Sequence, residues 1–215
     1  MANLTGNYPA LSNLIPQVTT HELLAQLVPP PEFREARFAT YIVDADHPSQ
    51  AQAVTATSSF AQGKVAKTRL FAKKTEEPSG IYLDGGFGVG KTHLLASIWH
   101  EFHGKKAFGS FLAYTGLIGV LGFANAVKQL SHFQLVCIDE FELDDPGDTM
   151  MMSRLLSELD LKGVRFAATS NTPPNALGQG RFAAADFARE IAAMSDRFKI
   201  VTIDGDDYRH RPVEA

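Results

Sequence analysis

Gly85-Gly86-Phe87-Gly88-Val89-Gly90-Lys91-Thr92 sets four glycines, a lysine and a hydroxyl in the pattern G-x-x-x-x-G-K-[ST]. Each residue type suits the binding of a polyphosphate. The glycines let the backbone turn tightly, so that successive N–H groups point inward at phosphate oxygens. A helix starting at Lys91 adds the positive end of its dipole. Lys91 brings a mobile charge to the β- and γ-phosphates of a nucleotide, and the Thr92 hydroxyl is a ligand for Mg²⁺. Residues 85–92, with His93 next in the helix, are the candidate nucleotide-binding set. Asp139 lies 48 residues after Lys91, where the apolar run Leu135-Val136-Cys137-Ile138 ends in Asp139-Glu140. Carboxylates at the carboxyl end of such a strand stand where open α/β sheets bind ligands. Asp139 suits the hydration shell of Mg²⁺, and Glu140 suits a general base that polarises the water attacking the γ-phosphate. A further apolar run, 166–169, leads to Asn171. Its amide can hold that water and sense the γ-phosphate, although Asn-Thr-Pro-Pro is equally turn chemistry in its own right.

The surrounding pattern must deliver these residues to one edge of a sheet. Short apolar runs at 81–84, 107–113, 133–139, 164–168 and 200–203 read as strands. Between them, 91–103, 117–130, 148–161 and 184–194 read as helices. This alternation specifies right-handed βαβ crossovers and an α/β fold: a three-layer αβα sandwich around a parallel five-stranded sheet. Upstream, Thr19-x-x-Glu22 is a capping box opening a short helix that Pro29, Pro30 and Pro31 stop. Pro48 and Gly63 bracket a second helix. Residues 1–75 are therefore expected to form a helical N-terminal segment packed on a core of 76–215. Phe38, Ala39, Tyr41 and Ile42 are candidates for the adenine pocket, or else core. Gly116, Gly119 and Gly122 weaken the helix at 117–130, either to bend it or to pack it closely. Asp144 and Asp145 read as a loop capping the next helix.

Composition narrows the classes. A net charge of −4 and a pI of 6.0 give no support to a general nucleic-acid binder, although Lys64, Lys67, Arg69, Lys73 and Lys74 form a local basic cluster. The one cysteine, Cys137, sits in an apolar run and reads as a buried hydrophobe. No signal peptide and no apolar run of membrane-spanning length is found, so the expected location is cytoplasmic.

Four segments together resemble the ZapE-type and AFG1-like ATPase family of the AAA+ class. They are the 81–92 loop region, Ile138-Asp139-Glu140-Phe141, Ala168-Thr169-Ser170-Asn171-x-Pro173-Pro174, and Asp204-Gly205-x-Asp207-Tyr208-Arg209-x-Arg211. The resemblance implies sheet order 5-1-4-3-2, ATP as substrate with Mg²⁺, and Asn171 as a sensor of the γ-phosphate. In keeping with ATP, no guanine-reading Asn-Lys-x-Asp occurs. It implies a homo-oligomer in which a neighbour's arginine reaches the γ-phosphate. Arg181 is the favoured catalytic candidate for that arginine, ahead of Arg189 and Arg197. The family's helical lid would begin beyond Arg211, so no complete lid is expected here. The implied role is remodelling of a protein partner, the FtsZ division ring, with peripheral membrane association. The alternatives are a replication-initiator or helicase-loader ATPase, and a nucleotide-gated adaptor with little turnover.

Overall fold

The computed structural model describes residues 18–63, 78–143, 145–179 and 184–208. Five parallel strands, β1 (Gly80–Gly85), β2 (Lys106–Ser110), β3 (Leu135–Asp139), β4 (Arg165–Thr169) and β5 (Phe198–Ile203), form one sheet. Their order is β2-β3-β4-β1-β5, the implied order taken from the other edge. Strands covered on both faces read as continuous apolar runs, and alternate side chains divide between two cores. In β3, Leu135 and Cys137 join the core under α2 (Pro48–Gln62) and α3 (Lys91–Glu101), on one side of the sheet. Val136 and Ile138 join the other core. There they meet α4 (Phe111–Leu121), α5 (Phe123–Leu130), α6 (Pro146–Asp160) and α7 (Ala188–Ser195). Cys137 is buried in this packing, and burial pushes its thiol well above the ordinary range, so it is inert as read.

The N-terminal segment is tied to the core by specific bonds. Thr19 and Glu22 close a reciprocal capping box at the start of α1 (Thr20–Ala25). Pro48 occupies the first turn of α2 and Gly63 caps its end. The fully buried Gln50 of α2 accepts from the Asp44 N–H and donates to the Asp204 carbonyl, at 2.9 and 3.0 Å.

Several elements differ from the sequence reading. The run at 107–113 is not one strand: β2 ends at Ser110, whose hydroxyl accepts from the Ala113 N–H and caps α4. Apolar periodicity over seven residues cannot separate a strand from a buried helix turn, and the serine is the signal that does. The helix expected at 117–130 is two helices, broken at Gly122 with φ 75° and ψ 152°. The helix expected at 184–194 is a 3-10 turn, Ala184–Phe187, followed by α7. Asp145 does cap α6, accepting from the Asp148 N–H. Asp144 and the basic cluster at 64–74 lie outside the described residues.

Candidate functional site

β1 runs straight into the phosphate loop, and α3 begins at Lys91. Two loop glycines hold left-handed backbone that only glycine adopts freely, φ 70° at Gly88 and 85° at Gly90. At Gly90 a Cβ would lie 2.5 Å from the Tyr41 ring; at Gly88 it would fall on Asp207. Gly86 has nothing within 4 Å of that position, so the loop stays open on its ligand side.

Register brings the chemistry together. Leu83 in β1 pairs with Thr169 in β4, and Ser110 in β2 pairs with Asp139 in β3, so the strand tips align at one edge. The Lys91 ammonium donates to the Gly85 carbonyl (2.8 Å), the Gly86 carbonyl (2.5 Å) and Asn171 Oδ1 (2.9 Å). Thr92 Oγ1 donates to Asp139 Oδ1 at 3.1 Å, and Thr169 Oγ1 donates to the same oxygen at 2.5 Å. Glu140 follows with a left-handed φ of 54°, the sole positive φ outside glycine among the described residues. Its N–H donates to Thr169 Oγ1 at 3.1 Å. Such backbone costs roughly 1–3 kcal/mol and collects at functional sites; here it belongs to an exposed residue that lines the cavity over the loop.

Burial lowers the Lys91 pKa, opposed by the charges of Asp139, Asp84 and Glu142. Burial raises the Asp139 pKa, opposed by the hydrogen bonds from Thr169 and Thr92 and by Lys91. The charges of these three carboxylates favour the ammonium against its burial, and would equally favour a bound cation. Thr92 and Asp139 offer the fitting donors, a hydroxyl and a carboxylate converging at hydrogen-bond distance. Mg²⁺ typically takes one or two such oxygens together with substrate phosphates and water. Among the described residues no group of three or more His, Cys, Asp and Glu could hold a metal.

A cavity of about 530 Å³ lies over the loop, within the usual range for small-ligand pockets. It is lined by Phe87–His93, Glu140, Thr169, Ser170 and Asn171, and by Phe33, Thr40, Tyr41, Ile42 and Tyr208. The proposed adenine set is thereby divided. Tyr41 and Ile42 face the cavity, while Phe38 is buried in the core beneath α2 and α3. The Tyr41 hydroxyl donates to the Val89 carbonyl at 2.7 Å and its ring meets His93 edge-on. His93 in turn lies 3.0 Å from the Arg37 carbonyl and 3.2 Å from Thr40 Oγ1, which fixes the N-terminal segment against α3.

Phe33, Thr40 and Tyr208 were given no role in the site from the sequence. Tyr208 was named there only as part of the family segment Asp204-Gly205-x-Asp207-Tyr208. Its N–H donates to the Gly88 carbonyl at 3.0 Å, so the end of that segment lies against the phosphate loop. Of the three arginines, Arg197 is committed to the fold, donating to Asp160 at 2.9 Å and to Ser157 at 3.2 Å. Arg189 has a side chain 92% exposed beside Glu190. Arg181 lies outside the described residues.

A family model described as AFG1-like ATPase matches residues 17–215. Cell division protein ZapE of Escherichia coli K12 is 28% identical over 144 residues, covering 61% of this chain and 38% of that protein. Lactation elevated protein 1 homolog B of Danio rerio is 27% identical over 171 residues, covering 66% of this chain and 33% of its own length. The chain thus spans well under half the length of these curated relatives. Among solved structures, the replication initiator DnaA bound to AMPPCP and single-stranded DNA matches with a TM-score of 0.61 at 14% identity. That match covers 80% of this chain and 51% of the DnaA chain, and is a likeness of fold. With the phosphate loop, the acidic strand tip and the sheet order in place, a model reaching across residues 17–215 fixes the kinship: the chain belongs to the AFG1-like ATPase family.

Proposed function

We propose that the chain is a Mg²⁺-dependent ATPase that couples hydrolysis to remodelling of a protein partner. The observation that carries this reading is the convergence at Lys91: one ammonium reaches two loop carbonyls and Asn171, beside the Thr92–Asp139 pair. The backbone N–H groups of residues 85–92 and Lys91 bind the phosphates. Thr92 and Asp139 would hold Mg²⁺, and the ion when bound would supply positive charge to the phosphates. Glu140 orients and polarises the attacking water, and Asn171 registers the γ-phosphate. Tyr41 and Ile42 border the base.

A cation from a second copy of the chain would complete the site by stabilising charge on the transferring phosphoryl group. Arg181 remains the favoured donor on its position in the sequence. Arg189 is the alternative because its guanidinium is exposed, and the bonds of Arg197 to α6 argue against that residue. The partner proposed is the division-ring protein FtsZ, on the family resemblance of the sequence; the name of the Escherichia coli relative supports a role in division. Among the described residues no helix is long and apolar enough to cross a membrane.

The test is capture from cell extract with Glu140→Gln loaded with Mg-ATP, compared with the same variant loaded with ADP. Recovery of a tubulin-like GTPase in the ATP arm alone supports the reading. Recovery of a replicative helicase in its place overturns the partner assignment, and ATP retention unaffected by chelating Mg²⁺ overturns the cofactor.

A further inference from the structure

Glu142 lies two residues beyond the candidate base, where no sequence pattern points to it. Its carboxylate nevertheless gathers three consecutive residues of the neighbouring strand tip. Oε1 accepts from Ser170 Oγ at 2.6 Å and from the Asn171 N–H at 3.2 Å, and Oε2 accepts from Thr172 Oγ1 at 3.1 Å. Ser170 Oγ accepts in turn from the Thr172 N–H at 2.9 Å. Behind them the Tyr82 hydroxyl donates to the Thr172 carbonyl at 2.7 Å. The same two tips are joined by backbone, Phe141 N–H to the Thr169 carbonyl at 2.7 Å and Glu140 N–H to Thr169 Oγ1.

We propose that Glu142 is a positioning residue that locks Asn171 to the strand tip carrying Asp139 and Glu140, so that sensor and base take up one geometry together. A turn of this kind needs only water to satisfy its donors. Here they converge on a carboxylate from the opposite tip, and charge-assisted bonds of this sort are roughly twice as strong as neutral ones. The turn lies at the loop's side of the sheet, with Asn171 Oδ1 already on the Lys91 ammonium. Motion of β3's tip therefore moves Asn171, and a γ-phosphate contact at Asn171 is passed back to Glu140. The inference rests on the hydrolytic reading of the site, and its test separates the two.

The experiment is a double-mutant cycle on phosphate release with Glu142→Ala, Asn171→Ala and the pair, plus Glu142→Gln as the conservative rescue. Misplacement of a catalytic array by about an ångström costs on the order of 100-fold. Glu142→Ala should therefore lower kcat by about 10- to 100-fold with KM changed by less than about 3-fold. Glu142→Gln, which keeps an acceptor for Ser170 and Asn171, should recover most of that loss. The pair should be slower than Asn171→Ala by less than about 3-fold, because coupled residues are not additive.

Unchanged kcat in Glu142→Ala, or losses that simply multiply, would overturn the proposal. If the wild-type chain releases no phosphate, the hydrolytic reading fails, and the cycle is then read in the ratio of AMPPCP to ADP affinity. Collapse of that ratio in both single variants, without further change in the pair, supports the lock. A ratio untouched by Glu142→Ala overturns it.

Discussion

At the scale of residues, Glu140 combines an exposed carboxylate with a backbone that a side chain disfavours, φ 54°. Strain and chemistry can be separated there. Glycine relieves a left-handed conformation that alanine does not, so Glu140→Gly should be more stable than Glu140→Ala by about 1 kcal/mol in urea unfolding. Equal stability would show that the tip relaxes on its own. Asp139 carries a second cost. Burial raises its pKa, so its contribution to folding is greatest below the ordinary carboxylate value and smallest once pH rises past the raised one. Asp139→Asn should therefore raise the melting temperature at pH 7.5 in a Mg²⁺ chelator, with a gain that shrinks as pH falls. A gain that grows toward low pH would contradict this sign. Lys91, Thr92, Asp139 and Glu140 were named as candidates because strand, loop and tip chemistry each leave a local pattern, whereas Asn171 needed the family resemblance as well. Glu142 was not, since it acts through residues 28 to 30 positions away.

At the scale of elements, the glycines of α4 and the break after it behave differently. Gly116 and Gly119 lie inside α4 with nothing within 4 Å of a would-be Cβ, which excludes close packing as their reason. Gly122 is equally uncrowded, but its φ of 75° and ψ of 152° are a glycine conformation. Gly116→Ala should therefore stabilise the chain by about 1 kcal/mol through helix propensity alone. Gly122→Ala should destabilise it by roughly 1–3 kcal/mol through backbone strain alone. Thermal or urea unfolding of the two variants checks both signs. Stabilisation by Gly122→Ala would mean that the two helices refold into one rod, as the sequence pattern suggested. Strand existence and the parallel sheet were readable from alternating apolar runs. The end of β2 was not, because Phe111 and Leu112 prolong its apolar run although they begin a helix. Strand order was not readable either, since periodicity carries no information about which strands are neighbours.

At the scale of the whole molecule, residues from before β1 and from after β5 meet at the phosphate loop. Gln50 joins Asp44 to Asp204, Tyr41 holds Val89, and Tyr208 holds Gly88. Gln50→Ala leaves two backbone groups without their partner and should cost about 2 kcal/mol of stability, measured by urea unfolding. A cost below about 0.5 kcal/mol would mean that water replaces the amide freely. The most direct measurement of the central claim is Mg-ATP turnover by the wild-type chain and Glu140→Gln, with nucleotide affinity measured beside it. Loss of a general base should lower phosphate release by about 100-fold or more, while ATP affinity stays within about 3-fold of wild type. Phosphate release that survives Glu140→Gln undiminished would contradict the assignment of Glu140 and the hydrolytic site built around it.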